Sequence, residues 1–355
     1  MITVPVTTAT ASYDVHIGSG ILDRAGELIR PVLRGKAALI ADTTVDALYG
    51  DRAAASLANA GFEVLRYAFP AGEENKNLTE YARILTFLAE NALTRGDFLV
   101  ALGGGVCGDM TGFAAATYLR GIPFVQIPTT FLAAADASVG GKTAVDLGAG
   151  KNLVGAFHQP SLVICDTDTF ASLPPETYAD GMVETIKHGL IYDKAFFEHL
   201  SSGDRRNEIN EIVRKDVEIK RSFVAEDEFD RGRRQMLNFG HTIGHTVEKN
   251  SNFTISHGHA VAIGMVAAAK AAYAFGLTPE DLSGQIQDAL ALYGIDTKCP
   301  YPAHLLAEAA LRDKKRFGGT INIIYLKEIG EAAVYPLPVE QLEEFLAAGC
   351  SDGSK

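Results

Sequence analysis

The residues Phe98-Leu-Val-Ala-Leu-Gly-Gly-Gly-Val-Cys-Gly-Asp109 decide how the first half of this chain folds. Phe98–Leu102 is an uninterrupted apolar run of the length of a buried strand, and a helical pattern follows the glycines. Gly103, Gly105 and Gly108 satisfy the pattern G-x-G-x-x-G. Between a strand and a helix, this pattern lets backbone N–H groups approach the diphosphate of a dinucleotide. The stretch predicts a dinucleotide-binding turn, and a tight turn without a ligand is the plainer alternative.

Strands and helices alternate on both sides of this turn. Apolar runs typical of buried strands occur at Ala37–Ala41, Phe124–Ile127 and Leu162–Cys165. Phe62–Phe69 is predicted to be another strand, and Leu78–Ala92 has the pattern of an amphipathic helix. Strands that are separated by helices indicate a parallel sheet covered on both faces. We therefore expect this half of the chain to be an α/β domain.

The start of the chain and its second half have other patterns. Ile2–Ile17 is rich in β-forming residues and suggests a hairpin. From Tyr178 to Gly318 the periodicity is helical, and a late pair of segments, Thr320–Leu326 and Ala332–Leu337, suggests one more hairpin. We predict an α/β N-terminal domain with a Rossmann-like parallel sheet, residues 1–174, followed by an all-α C-terminal domain, residues 175–355.

Composition and charge exclude several classes of partner. The net charge of −12 over 355 residues argues against binding to nucleic acid or to an anionic membrane surface. The N-terminus lacks the regions of a signal peptide, and no apolar run reaches the ~18 residues that span a bilayer. The four cysteines are scattered, which is typical of free thiols in a reducing compartment. We expect a cytoplasmic protein that acts on a small molecule.

Four of the nine histidines lie close together in the second half: His241, His245, His257 and His259. The first two are four residues apart, so they share one face of a helix, and His257 opens a second helical run. Two helices that meet can bring three imidazoles together, which is the material of a metal site. Glu184 is the best oxygen donor upstream. Packed core histidines and a surface carboxylate are the alternatives.

Cations stand beside glycines in a chain that is acidic as a whole. Gly140-Gly-Lys142 and Gly150-Lys-Asn152 look like loops suited to an anionic ligand. Other cations follow, and each alone is most simply a solvated surface charge. Their proximity to glycines and histidines predicts a local positive pocket for a small phosphorylated substrate. These further cations are Lys187, Lys220, Arg233, Arg234, Lys314, Lys315 and Arg316.

Nine segments together carry a family resemblance. They are Gly103–Asp109, Tyr118–Gly121, Pro128–Thr130, Gly140–Val145, Gly150–Pro160, Gly181–Lys187, Leu237–His245, His257-Gly258 and Arg312–Lys315. In this order they resemble the 3-dehydroquinate synthases of the sugar phosphate cyclase superfamily, from about Ala37 to Leu326. The family converts 3-deoxy-D-arabino-heptulosonate 7-phosphate to 3-dehydroquinate and phosphate, in the shikimate pathway of aromatic amino acid biosynthesis. The resemblance implies a carbon–oxygen lyase with catalytic NAD and a divalent metal.

The resemblance also implies roles for individual residues. Its metal ligands fall on Glu184, His241 and His257, with Zn²⁺ as the ion and Co²⁺ as a substitute. NAD contacts fall on Asp42, Glu73, Lys76, Gly104, Gly105, Val106, Cys107, Gly108, Asp109, Thr129, Thr130, Lys142, Lys151, Thr169, Phe170, Ala171 and Ser172. Substrate contacts and catalytic groups fall on Asp136, Lys142, Asn152, Lys187, Lys220, Arg234, Asn238, His245 and Lys314, with Arg120 reaching the site of the other subunit in a homodimer.

One residue departs from the family pattern beside the metal. The family has glutamate two positions after its second metal-binding histidine, and this chain has His259 there. A fourth imidazole can compete as a ligand, or it can replace a carboxylate that orients a ligand.

Three alternatives stay open. The first is another sugar phosphate cyclase with a different substrate. The second is a metal-dependent polyol dehydrogenase, which shares the glycine turn and the histidine helices but has no need of the anion-binding residues Lys142, Asn152, Lys187 and Arg234. The third is a metal- or nucleotide-binding module without turnover.

Overall fold

The computed structural model describes residues 1–314 and 319–350, and only the backbone of residues 312–314. The chain divides into two units. The first is Met1–Pro174 with Glu208–Phe229, and the second is Pro175–Asn207 with Asp230–Lys355. The predicted domains differ from these units in residues 208–229. The helix in that segment packs against the first two strands of the chain, and its periodicity alone does not say which neighbour its apolar face covers.

The first unit contains nine strands and six helices among the described residues. The strands are β1 (Ile2–Thr7), β2 (Ser12–Gly18), β3 (Ala37–Asp42), β4 (Val64–Phe69), β5 (Phe98–Gly103), β6 (Phe124–Pro128), β7 (Lys142–Leu147), β8 (Gly150–Phe157) and β9 (Leu162–Asp166). The helices are α1 (Ala25–Ile29), α2 (Thr43–Val45), α3 (Asp51–Asn59), α4 (Leu78–Glu90), α5 (Gly105–Thr117) and, from the later segment, α8 (Ile209–Glu226).

Seven of these strands form one sheet in the order β1-β2-β9-β6-β5-β3-β4. All neighbouring pairs from β2 to β4 are parallel, and β1 pairs with β2 in antiparallel register, Ile2 opposite Ile17. The predicted parallel sheet and the N-terminal hairpin are therefore confirmed.

Both faces of the sheet are buried, which explains the uninterrupted apolar runs. On β3, Leu39 packs into a cluster on one face and Ile40 into a cluster on the other. On β5, Val100 joins the first of these clusters and Leu99 the second. Successive side chains of a strand point to opposite faces, so a sheet between two helical layers needs apolar residues at every position.

The remaining two strands of this unit, β7 and β8, form a separate antiparallel hairpin with Lys142 opposite Phe157. The prediction that Lys142 and Lys151 lie in loops is wrong, because both stand on these strands. The glycines and charges resembled loop signals, while strands that pair mainly with each other do not need the apolar runs of a buried sheet.

The second unit is helical, as predicted, with one hairpin. Its helices are α6 (Pro175–Tyr192), α7 (Lys194–Ser201), α9 (His241–Asn250), α10 (His257–Ala274), α11 (Ser283–Ala291), α12 (Ala303–Lys314) and α13 (Leu342–Cys350). The strands β10 (Thr320–Glu328) and β11 (Glu331–Pro338) pair antiparallel, and Gly330 supplies the positive φ at their turn. None of the helices in residues 1–314 and 319–350 combines the length and the hydropathy needed to cross a membrane.

Asp97 holds the loop that leads into β5. Its carboxylate accepts the backbone N–H of Lys36 at 2.6 Å and that of Thr94 at 2.7 Å. Burial alone would raise the pKa of Asp97, but these hydrogen bonds outweigh burial and lower it. A lowered pKa in the folded state contributes stability above the unfolded value of ~3.9, and that stability is lost as the pH falls through the folded value.

We expect Asp97→Asn to lower the free energy of unfolding by about 1–3 kcal/mol at pH 7, because an amide nitrogen replaces one of the two acceptors. Urea unfolding of both proteins should give a constant difference from pH 7 to about pH 4 and a smaller one below it. Asp51→Asn, at a side chain that is 96% exposed, is the control. Equal stability of Asp97→Asn and wild type at pH 7 would contradict the assignment.

Candidate functional site

The residues predicted to bind a nucleotide gather at one edge of the large sheet. Parallel strands end at the same edge, and β9, β6, β5, β3 and β4 are consecutive neighbours there. In open α/β sheets, ligands bind outside the carboxyl ends of the strands. Asp42 ends β3, Glu73 and Lys76 follow β4, Gly104–Asp109 follows β5, Thr129 and Thr130 follow β6, and Thr169–Ser172 follows β9.

The glycines of the turn after β5 serve different purposes. A Cβ on Gly103 would lie 2.6 Å from the Cβ of Cys107, and one on Gly108 would lie 2.6 Å from Oε1 of Gln126. At Gly103 the contact is with an atom fixed to the backbone, so packing excludes a side chain there, whereas at Gly108 it is with the end of the Gln126 side chain. A Cβ on Gly105 would meet only the Cβ of Ala137, at an ordinary 3.7 Å. No contact within the first unit demands glycine there, as expected if a ligand approaches this backbone.

The N-terminus of α5 adds to this anion-binding character. Its N-cap residue, Gly104, makes no side-chain capping hydrogen bond. The first N–H groups of a helix have no partner within the helix, and they attract negative charge. The residues present therefore fit a bound dinucleotide diphosphate.

Lys76 interacts with three other predicted residues, Glu73, Asp109 and Asn152. Its buried Nζ lies 2.6 Å from Oδ2 of Asp109 and 2.6 Å from Oδ1 of Asn152. Burial disfavours the charged form of Lys76, but the carboxylates of Asp109 and Glu73 outweigh burial and raise the pKa. Lys151 lies 3.3 Å from Oε1 of Glu73. The hairpin β7–β8 is thus tied to the turns after β4 and β5.

Other predicted nucleotide contacts divide into backbone and side-chain candidates. Cys107 is fully buried, and its thiol donates to the carbonyl of Ile40, so only its backbone can face a ligand. Burial raises the pKa of this thiol to about 12. Phe170 is likewise buried and packs on Phe131 at 5.6 Å. The carboxylate of Asp42 caps α2 by accepting the N–H groups of Thr44 and Val45.

Among the predicted substrate contacts of the first unit, Lys142 lies on β7 and Asn152 contacts Lys76, and the other three fall into two groups. Lys220, on α8, lies 2.8 Å from Oδ1 of Asp136, so these two residues are brought together. Arg120 is exposed at the end of α5 away from the glycine turn, and 13 helical residues at 1.5 Å each place it about 20 Å from that turn. It is therefore not part of the nucleotide edge of its own chain.

The second unit brings the predicted metal ligands together. Oε1 of Glu184, on α6, lies 3.7 Å from Nε2 of His241 and 3.7 Å from Nε2 of His257. The glutamate is 1% exposed, and this oxygen has no hydrogen-bond partner. Its other carboxylate oxygen contacts Nζ of Lys187.

This geometry fits a metal ion. The separations of 3.7 Å are too long for hydrogen bonds. Ligand bonds of 2.0–2.1 Å at tetrahedral angles place neighbouring ligand atoms roughly 3.4 Å apart. Two imidazole nitrogens and one carboxylate oxygen around a common point form a set that Zn²⁺ accepts with a position left for substrate. These three residues are one of two groups of potential ligands among the described residues.

Close helix packing makes the cluster possible. A Cβ on Gly264 of α10 would lie 2.0 Å from the carbonyl oxygen of Gly240, and one on Gly244 of α9 would lie 2.9 Å from that of Ala260. Glycines at the crossing let α9 and α10 approach, and the rings of His241 and His257 lie 5.3 Å apart. Burial, and secondarily the charge of Lys187, lowers the pKa of His241 well below its usual value, which favours the neutral ligand form.

His245 lies beside the cluster without being one of its three members. Its ring is 5.4 Å from that of His241 and 6.0 Å from that of His257, and its side chain is exposed. Lys187 and Arg234 are buried in the same unit, each 1% exposed, and Asn238 ends a short 3₁₀ segment just before α9. The side chain of Lys314 lies outside the described residues, as do residues 315–318.

Sequence reasoning missed two carboxylates of this unit. Oε2 of Glu248 lies 3.3 Å from Nδ1 of His257. Oδ1 of Asp180 lies 3.5 Å from Nδ1 of His259. The sequence offered a signal for Glu248: it lies seven residues after His241, which is two helical turns and therefore the same face of the helix.

The expectation that His259 competes as a metal ligand is not met in the described residues. Its ring faces Asp180 and Ser256, and neither group of potential ligands includes it. The hydrogen bond to Asp180 is the main cause that raises the pKa of His259. The two residues from His257 to His259 rotate the side chain by about 200° around the helix, so it points to another neighbour.

Solved structures with this architecture define its class. The chain is 27% identical to 2-deoxy-scyllo-inosose synthase in complex with carbaglucose-6-phosphate, NAD⁺ and Co²⁺, with a TM-score of 0.89 over 98% of this chain and 100% of that one. It is also 27% identical to ValA, the 2-epi-5-epi-valiolone synthase of Streptomyces hygroscopicus subsp. jinggangensis 5008 with NAD⁺ and Zn²⁺ bound, with a TM-score of 0.86 over 95% and 96%. The fold is that of the sugar phosphate cyclases.

Family models narrow the class. Residues 66–180 match the N-terminal model of 3-dehydroquinate synthase, and residues 181–316 match its C-terminal model. The 3-dehydroquinate synthase of Caulobacter vibrioides (strain NA1000 / CB15N) is 44% identical over 348 residues, 94% of each chain. This chain belongs to the 3-dehydroquinate synthase family.

We expect His257→Ala to abolish tight zinc binding, because it removes one of three ligands. His259→Ala should retain it, because that ring faces Asp180. Dialysed proteins, reconstituted with one equivalent of Zn²⁺ and measured for bound metal, distinguish the two. Full occupancy in His257→Ala, or loss in His259→Ala with an unchanged melting temperature, would refute this ligand set.

Proposed function

We propose that this chain is a 3-dehydroquinate synthase, which cyclises 3-deoxy-D-arabino-heptulosonate 7-phosphate to 3-dehydroquinate with release of phosphate. The observation that carries the proposal is the 44% identity, over 94% of both chains, to a relative of that name. The similar solved cyclases with other printed activities are 27% identical. The metal cluster of Glu184, His241 and His257 supports an enzyme rather than a binding module without turnover.

The cofactor proposed for the first unit is NAD. When bound, NAD⁺ supplies a hydride acceptor that can return the hydride later in the same turnover. The uncapped N-terminus of α5 and the backbone at Gly105 would hold its diphosphate. Lys76 and Asp109 would order the adjoining turn through their 2.6 Å contact. Thr129 and Thr130 stand at the next strand end, where the N–H of Thr129 donates to the carbonyl of Gly103 at 3.0 Å.

The cofactor proposed for the second unit is a divalent metal, Zn²⁺ or in substitution Co²⁺. When bound, the ion supplies a Lewis acid that lowers the pKa of a substrate hydroxyl. Glu184, His241 and His257 would hold it. His245, which is exposed beside these ligands, would donate or accept a proton at the substrate.

The substrate proposed for these residues carries a phosphate and a carboxylate. Lys142, Lys187, Lys220 and Arg234 would neutralise the two anionic ends, and Asn152, Asn238 and Asp136 would orient the hydroxyl groups. Lys187 and Arg234 are almost fully buried. A buried cation attracts an anionic group strongly, because little water screens the interaction.

We also propose a cytoplasmic homodimer. Arg120 stands at the far end of α5 from the glycine turn of its own chain, so a contact with the other subunit's site is the role that suits it. The four cysteines are free thiols, in keeping with a reducing compartment.

The test is phosphate release from the heptulosonate phosphate by the purified protein, with and without NAD⁺ and Zn²⁺. Both additions should be required after their removal, and NADH should not accumulate. Glucose 6-phosphate and sedoheptulose 7-phosphate are the comparison substrates. Faster turnover of either would identify another cyclase, whereas NADH accumulating in proportion to product would identify a dehydrogenase.

A matched pair of glycine variants tests the nucleotide site. Gly105→Ala should keep the melting temperature, because its Cβ has room, and should weaken NAD⁺ binding at least tenfold by blocking the backbone. Gly103→Ala should lower the melting temperature, because its Cβ would lie 2.6 Å from the Cβ of Cys107. Calorimetric titration and thermal unfolding give both readouts. Wild-type NAD⁺ affinity in Gly105→Ala would remove the argument for this site.

A further inference from the structure

Glu248 is a buried carboxylate that none of the roles above uses. Its side chain is 4% exposed, on the last full turn of α9. A negative charge is disfavoured near the C-terminus of a helix, where the helix dipole is itself negative. Burial of a charge adds a further cost unless the charge is paired. Neither helix formation nor solvation therefore accounts for a glutamate at this position.

A partner that accounts for it is His257. Oε2 of Glu248 lies 3.3 Å from Nδ1 of that ring, while Nε2 of the same ring is the atom that lies 3.7 Å from Glu184. One imidazole nitrogen thus faces the carboxylate, and the other faces the metal cluster. An ionised carboxylate only accepts hydrogen bonds, so this contact places the proton of a neutral ring on Nδ1 and leaves Nε2 with its lone pair.

The backbone around Glu248 keeps it in place. Its carbonyl oxygen accepts the hydroxyl of Ser251 at 2.7 Å and the N–H of Phe253 at 3.0 Å, and both bonds close the end of α9. The same helix carries His241 and His245, seven and three residues earlier, so all three side chains share one face. The ligand atoms of His245, Glu248 and His257 lie within 4.8 Å of one another.

The two histidine ligands are held differently. Nδ1 of His241 lies 3.2 Å from the backbone carbonyl of Phe239, a neutral acceptor. Nδ1 of His257 faces a carboxylate, which increases the basicity of a metal-binding imidazole more than a carbonyl does. The side chain of His257 is also the more exposed of the two, 34% against 14%, so it depends more on such a contact for its orientation.

We propose that Glu248 is a positioning residue of the metal site: it orients His257, fixes its tautomer and strengthens its bond to the metal. This inference rests on the proposed function only in requiring that the second unit binds a divalent ion. A purely structural role, in which Glu248 joins α9 to α10, is the rival account. The two differ because the structural role changes stability without metal, whereas the positioning role changes affinity for the metal.

The experiment compares Glu248→Gln, Glu248→Ala and Glu248→Asp with the full-length wild type. Zinc affinity is measured by competition with a chromophoric chelator, the melting temperature is measured without metal, and the visible spectrum is measured with Co²⁺. Glu80→Gln is the matched control. Glu80 is also a buried carboxylate, hydrogen-bonded to Tyr67 at 2.6 Å and to Arg83 at 2.8 Å, and it belongs to the first unit.

We expect the dissociation constant for zinc to rise about tenfold in Glu248→Gln, which keeps an acceptor without the charge, and up to about 100-fold in Glu248→Ala. The Co²⁺ bands should shift in both, and Glu80→Gln should match wild type. Wild-type zinc affinity and a wild-type Co²⁺ spectrum in Glu248→Gln would overturn the proposal. A loss of zinc affinity no larger than that in Glu80→Gln would overturn it as well.

Two further outcomes separate the possible failures. If Glu248→Gln and Glu248→Ala do not fold, Glu248→Asp decides: its charge is kept but drawn back from the ring, so weaker zinc binding at a wild-type melting temperature supports positioning, and unchanged binding overturns it. If wild type binds zinc and turns over substrate while the variants bind equally well, only this inference fails. If wild type binds no divalent ion, the proposed function fails first.

Discussion

The second unit depends on one buried carboxylate. Glu184 is 1% exposed, and a negative charge so far from water is stable only with compensating groups around it. Lys187, one helical turn away, faces one of its oxygens, and two imidazole nitrogens stand 3.7 Å from the other. A divalent ion between these side chains would supply the positive charge that neutral imidazoles lack.

The positions of these side chains depend on how closely α9 and α10 pack. His241 and His257 reach Glu184 only because α9 and α10 cross where glycines replace side chains, at Gly240, Gly244 and Gly264. An added methyl group at Gly264 would overlap a backbone oxygen, so the crossing and the ligand geometry are parts of one arrangement. The contact between Glu248 and His257 belongs to the same arrangement. It joins His257 on α10 to α9, the helix that carries His241 and His245.

In the first unit, the common direction of the strands determines where the predicted nucleotide contacts lie. Five neighbouring parallel strands end at one edge, and the turns after them carry residues that are far apart in the chain, from Asp42 to Ser172. What this edge offers to an anion is mainly backbone, because Gly105 and the uncapped start of α5 present N–H groups rather than side chains. Lys76 adds a buried cation that connects this edge to Asn152 on the hairpin β7–β8.

The sequence by itself determined the elements whose signal is local. A strand buried on both faces must be apolar throughout, so β3, β5, β6 and β9 were evident, and the glycine pattern after Phe98–Leu102 located the turn between β5 and α5. The proposed ligands Glu184, His241 and His257 were named through the family resemblance, since helical spacing alone favoured His241 and His245 equally.

Only the tertiary structure decided which side chains meet. The hairpin β7–β8 was missed because its strands pair mainly with each other and carry polar residues. The placement of α8 depends on which apolar surface covers it, and periodicity cannot name that surface. His259 lies two positions after His257, and its ring therefore faces Asp180 instead of the cluster. Glu248 on α9 contacts His257, the first residue of the next helix, α10. Such contacts arise from how α6, α9 and α10 pack, and packing joins residues that no short window of sequence contains.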